Sequence, residues 1–192
     1  MCPDAVPIAA RPKRADAVRN RALVVEAAAA VFAERGMETS VEHVAERAGV
    51  GRATVYRSFR SREHLLAGVA VQRLSHIAHL ATAALADDDA GAAFRRVLVQ
   101  IAELQAADRV MLDALRLEGD VPELTRARAD ASAALDALID RAKAQRALRP
   151  DASALDVRIL LSGIAHAMPD ELRHDVAAWR RYAGLVADAL EA

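Results

Sequence analysis

Cysteine is almost missing from this chain of 192 residues. Cys2 is the only one, so neither an internal disulfide nor a thiolate metal cluster can form within it. Aromatic residues make up 3%, which argues against a large stacked cage for a flat cation and favours aliphatic walls around any ligand. There are 8 glycines and 6 prolines, and no strand-length alternation of β-branched residues, so the expected fold class is all-α. No apolar run is long enough to span a membrane, and Asp4 and Pro7 make the first ten residues a poor secretory signal. These absences predict a soluble, cytoplasmic protein with no membrane partner. The nucleophile elbow, zinc-protease, phosphate-loop and dinucleotide patterns are missing too, so no enzyme, cofactor or metal is expected.

What the chain has is helical periodicity and an uneven charge. Net charge is −1 overall. Up to Arg73, however, 12 Lys and Arg stand against 8 Asp and Glu, and beyond it 14 stand against 19. The basic excess lies in the first third, which suits contact with a polyanion.

That first third holds the most informative pattern. Val24, Ala27, Ala28, Val31 and Phe32 form one apolar stripe at helical spacing, closed by Gly36. Thr39 or Ser40 is placed to cap a second helix, with Thr39 and Glu42 at capping-box spacing and Val41, Val44, Ala45 and Ala48 inward. The run Ala-Gly-Val-Gly at 48–51 then reads as a tight interhelical turn, since Gly49 can take the positive φ that such a turn needs. A third helix follows, with Val55 and Phe59 inward and Arg52, Ala53, Thr54, Tyr56 and Arg57 outward. Guanidinium groups fork onto guanine edges, an alanine methyl meets a thymine methyl, and hydroxyls hold phosphate oxygens. The outward set is therefore that of a helix-turn-helix reader of the DNA major groove.

The run Arg21 to Leu66 closely resembles the DNA-binding domain of the tetracycline-repressor (TetR) family, most specifically in AERG at 33–36, VAERAGV at 44–50, and ATVYRSF followed by SREHLL at 53–66. The resemblance implies that Tyr56, preceded by Thr54, holds a phosphate, that Arg62 at the start of the fourth helix contacts the DNA backbone, and that Arg52, Ala53 and Arg57 choose bases. Thr39, Ser40 and Glu42 join them as candidate DNA-contacting residues, with His43 beside them. Two positions depart from the pattern. Ser58 stands where a histidine or tyrosine is common, and Gly51 where a serine would cap the helix.

Three segments are expected: a flexible basic arm at 1–17, the helix-turn-helix domain at 18–66, and a helical effector-binding and dimerisation domain at 67–192. The arm and the first turns after it carry Arg11, Lys13, Arg14, Arg19 and Arg21, which either follow phosphates or remain solvated. The remaining helices are expected at about 62–85, 90–107, 108–117, 122–148, 150–167 and 171–191, nine in all, with Asp89 capping the second of these. The last two carry more apolar surface than one face requires. Leu155, Ile159, Leu160, Gly163 and Ala167 on one, with Trp179, Tyr182, Leu185, Val186, Ala189 and Leu190 on the other, suit a four-helix seam between two copies. The alternative is that both helices only cover the core of their own protomer.

For an effector pocket the candidates are His79, Arg116 and His166 as polar groups, with Phe94, Met111 and Met168 as walls. His76 and His79 share a helix face, but no further metal ligand is evident from the sequence. The expectation is thus a homodimeric, DNA-binding transcriptional regulator, released as a repressor from a palindromic double-stranded operator by a small-molecule effector. The competing reading is a ligand-independent activator or architectural DNA-binding protein.

Overall fold

The computed structural model describes residues 13–36, 39–107 and 121–192, and these are helical throughout apart from their connections. The helices are α1 (Lys13–Arg35), α2 (Val41–Ala48), α3 (Arg52–Ser58), α4 (Arg62–Ala84), α5 (Ala90–Ala107), α6 (Pro122–Ala144), α7 (Ala154–Ala167) and α8 (Val176–Leu190), with a 3-10 turn at Asp170–Leu172. A ninth helix expected at 108–117 lies outside the described residues, as do Cys2, Arg11, Met111 and Arg116.

The chain is already helical at Lys13, so the last five positions of the segment expected as an arm belong to α1. Nothing between Pro12 and Gly36 breaks a helix, and Asp16 and Arg19 pair across one turn at 4.0 Å. Gly36 ends α1 with φ +78°, its N–H reaching the Phe32 carbonyl at 2.8 Å.

Helix α4 packs along α6 and also against α1 and α5, while α5 packs against α8. One apolar core runs continuously from Val24, Phe32, Val44 and Val55, through Leu65 and Val69 of α4, to Leu98, Leu138 and Ile139. A second, smaller cluster gathers Ala102, Ala106, Ala165, Met168, Trp179 and Ala183. Exposed ion pairs tie α8 to α5, Arg180 to Glu103 at 2.6 Å and Arg95 to both Asp188 and Glu191. At its end Arg149 N–H donates to the Leu190 carbonyl at 3.0 Å, closing α8 onto the turn after α6.

Several helix ends differ from those expected. Helix α6 stops at Ala144 rather than near 148, because Arg146 adopts φ +59° and the N–H groups of Arg146 and Ala147 turn back onto Lys143 and Ala142. Helix α7 begins at Ala154 rather than 150, where Ser153 accepts from Asp156 N–H at 3.3 Å and Asp136 accepts from Ala154 N–H at 2.9 Å. Helix α8 begins at Val176 rather than 171, since Asp175 caps the N–H groups of Ala177 and Ala178. Asp89 does accept from Ala92 N–H at 2.8 Å, and α5 takes the expected span.

Candidate nucleic-acid interface

The α2–α3 pair is built around a short Schellman turn. Gly49, at φ +65°, donates to the Glu46 carbonyl at 3.1 Å, and Val50 donates to the Ala45 carbonyl at 3.0 Å. Only glycine enters that conformation without strain. Val50 is half-buried against the core, and α3 departs at once from Gly51, whose carbonyl accepts from Thr54 N–H at 2.8 Å. As expected from Gly51, no side chain caps α3.

Helix α3 divides cleanly. Val55 and Phe59 are 1% and 2% exposed and anchor it to the core. Arg52, Ala53, Tyr56 and Arg57 are exposed side by side, while Thr54 is half-buried. The outward residues also organise one another. Arg52 pairs with Glu42 of α2 at 2.7 Å and lies 5.4 Å from the centre of the Tyr56 ring. Arg57 donates to the Thr54 hydroxyl at 3.2 Å, so that threonine already has a partner on its own helix.

The expected capping box on α2 is not formed. Ser40 takes the N-cap position but makes no side-chain cap bond. Instead its hydroxyl is hydrogen-bonded to Nδ1 of His43 at 3.1 Å, with the Thr39 hydroxyl 3.4 Å from the same nitrogen. The His43 ring, one turn along, competes successfully with the backbone for both hydroxyls. Thr39 is also buried, which leaves Ser40 and Glu42 as the accessible members of that trio. The Glu42 carboxyl is held below its usual range, first by its own backbone N–H, then by the Ser40 hydroxyl and by the charge of Arg52. It is therefore ionised at neutral pH and places a negative charge beside the guanidinium of Arg52.

Arg62 opens α4, half-buried, directly after Ser61, which caps that helix by accepting from His64 N–H at 3.4 Å. The sequence did not reveal Ser61 as a cap, although the S-R-E-H run carries the signal. It also missed the pair of Arg47 with Glu34 at 2.9 Å, which ties α2 to α1. By sequence position Arg21 falls with the basic arm and the first turns after it. In the structure it sits on α1, donates to the Ser58 carbonyl at 2.8 Å and stacks 4.2 Å from the centre of the Phe59 ring.

The candidate effector residues are scattered. Phe94 is core, 1% exposed, and borders a cleft of about 430 Å³ with Arg95, Ala147, Leu148 and Ala187. His79 is exposed on α4, donating from Nδ1 to the Ser75 carbonyl at 2.7 Å, and His166 is exposed near the end of α7. Neither histidine lines that cleft. Met168 is buried in the small cluster beside Trp179. Among the described residues no three His, Cys, Asp or Glu side chains group as a metal site, and no helix is long and apolar enough to cross a membrane.

Residues 24–69 match the family model of bacterial regulatory proteins of the tetR family. No curated protein sequence matches the chain significantly. Solved structures do. A TetR transcription regulatory protein from Mycobacterium vanbaalenii is 30% identical over 94% of this chain and 100% of its own, with a TM-score of 0.66. A TetR transcriptional regulator from Streptomyces coelicolor is 31% identical over 89% and 98%, with a TM-score of 0.67. A third, whose structure is described as the molecular basis for control of antibiotic production by bacterial hormones, is 27% identical over 91% and 99%, with a TM-score of 0.69.

Proposed function

Because this chain belongs to the TetR family of transcriptional regulators, which bind DNA, we propose that it is a homodimeric repressor. It leaves a palindromic operator when a small-molecule effector binds. The observation that carries the DNA-reading part is the division of α3. Its buried face is fixed by Val55 and Phe59, and its exposed face carries Arg52, Ala53, Tyr56 and Arg57 together. In this reading α3 enters the major groove, with Arg52, Ala53 and Arg57 on base edges, and Thr54, Tyr56 and Arg62 near phosphates. Ser40 and Glu42 approach from α2. The Glu42–Arg52 pair holds Arg52 on the outer face before DNA arrives, and the carboxylate repels phosphates that approach out of register.

The dimer rests on a different observation. Ile159 is 57% exposed, Leu155 and Leu185 are each 50%, and Leu160 and Val176 are also exposed, all on α7 and α8. Gly163, Ala167 and Ala189 lie exposed on the same two helices. So much apolar surface on one pair of helices marks an association face, and small residues there allow close helix approach. Trp179, Val186 and Leu190, expected at the seam, instead face the interior of their own protomer. They are removed from the interface. A two-fold axis through the remaining face would present two copies of α3 to half-sites about one helical turn apart, roughly 34–36 Å.

Effector control follows from linkage. A ligand changes operator affinity only through different affinities for the DNA-competent and DNA-incompetent arrangements. Helix α4, against Phe59 at Gly68 and packed on α6, is the element through which spacing of the reading helices would change. The neighbour whose structure is described as the molecular basis for control of antibiotic production by bacterial hormones supports control by an effector. The protein would act in the cytoplasm, where its operator is.

The decisive experiment is selection of bound duplexes from a random pool, followed by addition of small-molecule extracts to the selected complex. Recovery of a palindrome supports the reading, and recovery of no preferred sequence rejects it.

Three substitutions separate positioning from base choice. Tyr56→Phe should weaken binding to all duplexes alike by roughly 0.5–1.5 kcal/mol, one hydrogen bond, with the preferred sequence unchanged. A changed preference in the selection experiment would reassign Tyr56 to base reading. Arg52→Ala and Arg57→Ala should each relax preference at one base position, at a cost of about 1–3 kcal/mol against the preferred duplex. Titration of single-base operator variants checks this, and a uniform loss would make the arginine a phosphate contact.

A further inference from the structure

We propose that Arg21 is a positioning residue for DNA reading: from α1 it clasps the last turn of α3 and sets the direction of Arg57. The proposal rests on the reading of α3 as the groove-entering helix. It removes Arg21 from the arm of phosphate-seeking basic residues to which its sequence position assigned it.

The clasp has three parts. Helix α3 is only seven residues long and ends at Ser58, so its last carbonyls have no partner within the helix. The Phe59 N–H reaches back to the Val55 carbonyl at 2.8 Å, and the Arg21 guanidinium takes the Ser58 carbonyl, also at 2.8 Å. That guanidinium lies over the Phe59 ring, 4.2 Å from its centre, close enough for cation–π attraction to hold it in place. One arginine thus satisfies the carbonyl of the residue adjoining Arg57 and grips the side chain that follows it.

Phe59 cannot yield easily. It is 2% exposed, and it meets Gly68 of α4 so closely that a Cβ there would fall 2.8 Å from its Cε1 and 3.3 Å from Val25 Cγ2 of α1. The ring that follows α3 is thus held between Gly68 of α4 and Arg21 of α1. Arg57 precedes Ser58 immediately, so if the last turn of α3 moves as a whole away from Arg21, Arg57 is carried with it. The start of α6 borders the same place, where Val121, Pro122 and Glu123 line a cleft of about 340 Å³ with Arg21, Phe59 and Gly68. A shift of α6 against α4 has a short path to the reading helix at this point.

A direct phosphate contact by Arg21 is the rival role, and salt dependence distinguishes the two. Each phosphate contact adds about 0.9 to the slope of log affinity against log salt, whereas a positioning residue adds nothing to binding that ignores sequence. The test uses the full chain at low temperature, the operator selected with the native protein, and a random-sequence duplex. Arg21→Gln should lose about tenfold or more in operator affinity, while random-duplex affinity and its salt slope stay native. Amide exchange at Ser58 and Phe59 should accelerate. Phe59→Leu keeps the Arg21 charge but removes the ring, and should reproduce the loss of operator preference. The double variant should be no worse than the poorer single, because both break one clasp.

A random-duplex salt slope lowered by about 1 would make Arg21 a phosphate contact. A lower melting temperature with native operator preference would make it a structural brace only. Losses that multiply in the double variant would also overturn the clasp. Failure of the native protein to prefer any duplex would instead overturn the function on which the proposal stands, and the proposal with it.

Discussion

Gly163→Asp is expected to turn the proposed dimer into folded monomers and to lower operator affinity by about 100-fold or more, because the two half-sites are then bound independently. The protomer itself has no reason to object. A Cβ added at Gly163 meets nothing within 4 Å, and its backbone is not in the left-handed region. The cost arises only when two copies meet, where a carboxylate would have to be desolvated opposite the same carboxylate of its partner on an otherwise apolar face. Light scattering reports the oligomer and circular dichroism the fold. Ile159→Glu, at the most exposed large side chain of the face, should act in the same direction. A stable dimer of folded Gly163→Asp protein would place the interface elsewhere.

Phe32→Ala should destabilise the reading head by about 3–5 kcal/mol, the usual cost of removing a fully buried phenyl ring and leaving its cavity. Phe32 is 1% exposed and lies where α1 meets its neighbours in the upper part of the continuous core. The chain's single tryptophan offers a local reporter, since Trp179 belongs to the separate small cluster between α5, α7 and α8. In urea, helicity of the variant should begin to fall before Trp179 fluorescence changes, and DNA binding should be lost with the first transition. Coincident transitions would show that α4 makes head and body one cooperative unit.

The legible parts of the molecule are those specified within one or two helical turns. The inward pair Val55 and Phe59 and the outward run around Tyr56 follow from a period of 3.6, and α5 follows from Asp89 and an uninterrupted apolar stripe. Where several caps compete, neighbours decide. Pro150, Asp151 and Ser153 each suit the start of a helix, but Asp136 from α6 reaches the Ala154 N–H and settles the matter. The hydroxyls of Thr39 and Ser40 read as caps, yet His43 took both. In α8 every face carries apolar residues, so pattern alone could not tell inward Trp179 from outward Leu185. Arg21 was illegible for a simpler reason. Its partner carbonyl lies 37 residues away, and nothing in a basic residue near a chain's start announces a long-range bond to backbone.

The split of α3 has a consequence for how such a protein diversifies. Arg52, Ala53, Tyr56 and Arg57 are exposed and lie outside the apolar core, while the residues that hold the helix are different ones. Exposed substitutions of this kind usually change stability by less than about 0.5 kcal/mol. On the reading proposed for α3, a duplicated copy of this gene could drift to a new target sequence through the three codons of Arg52, Ala53 and Arg57, with every intermediate still folded and still able to assemble. Address and architecture are inherited separately.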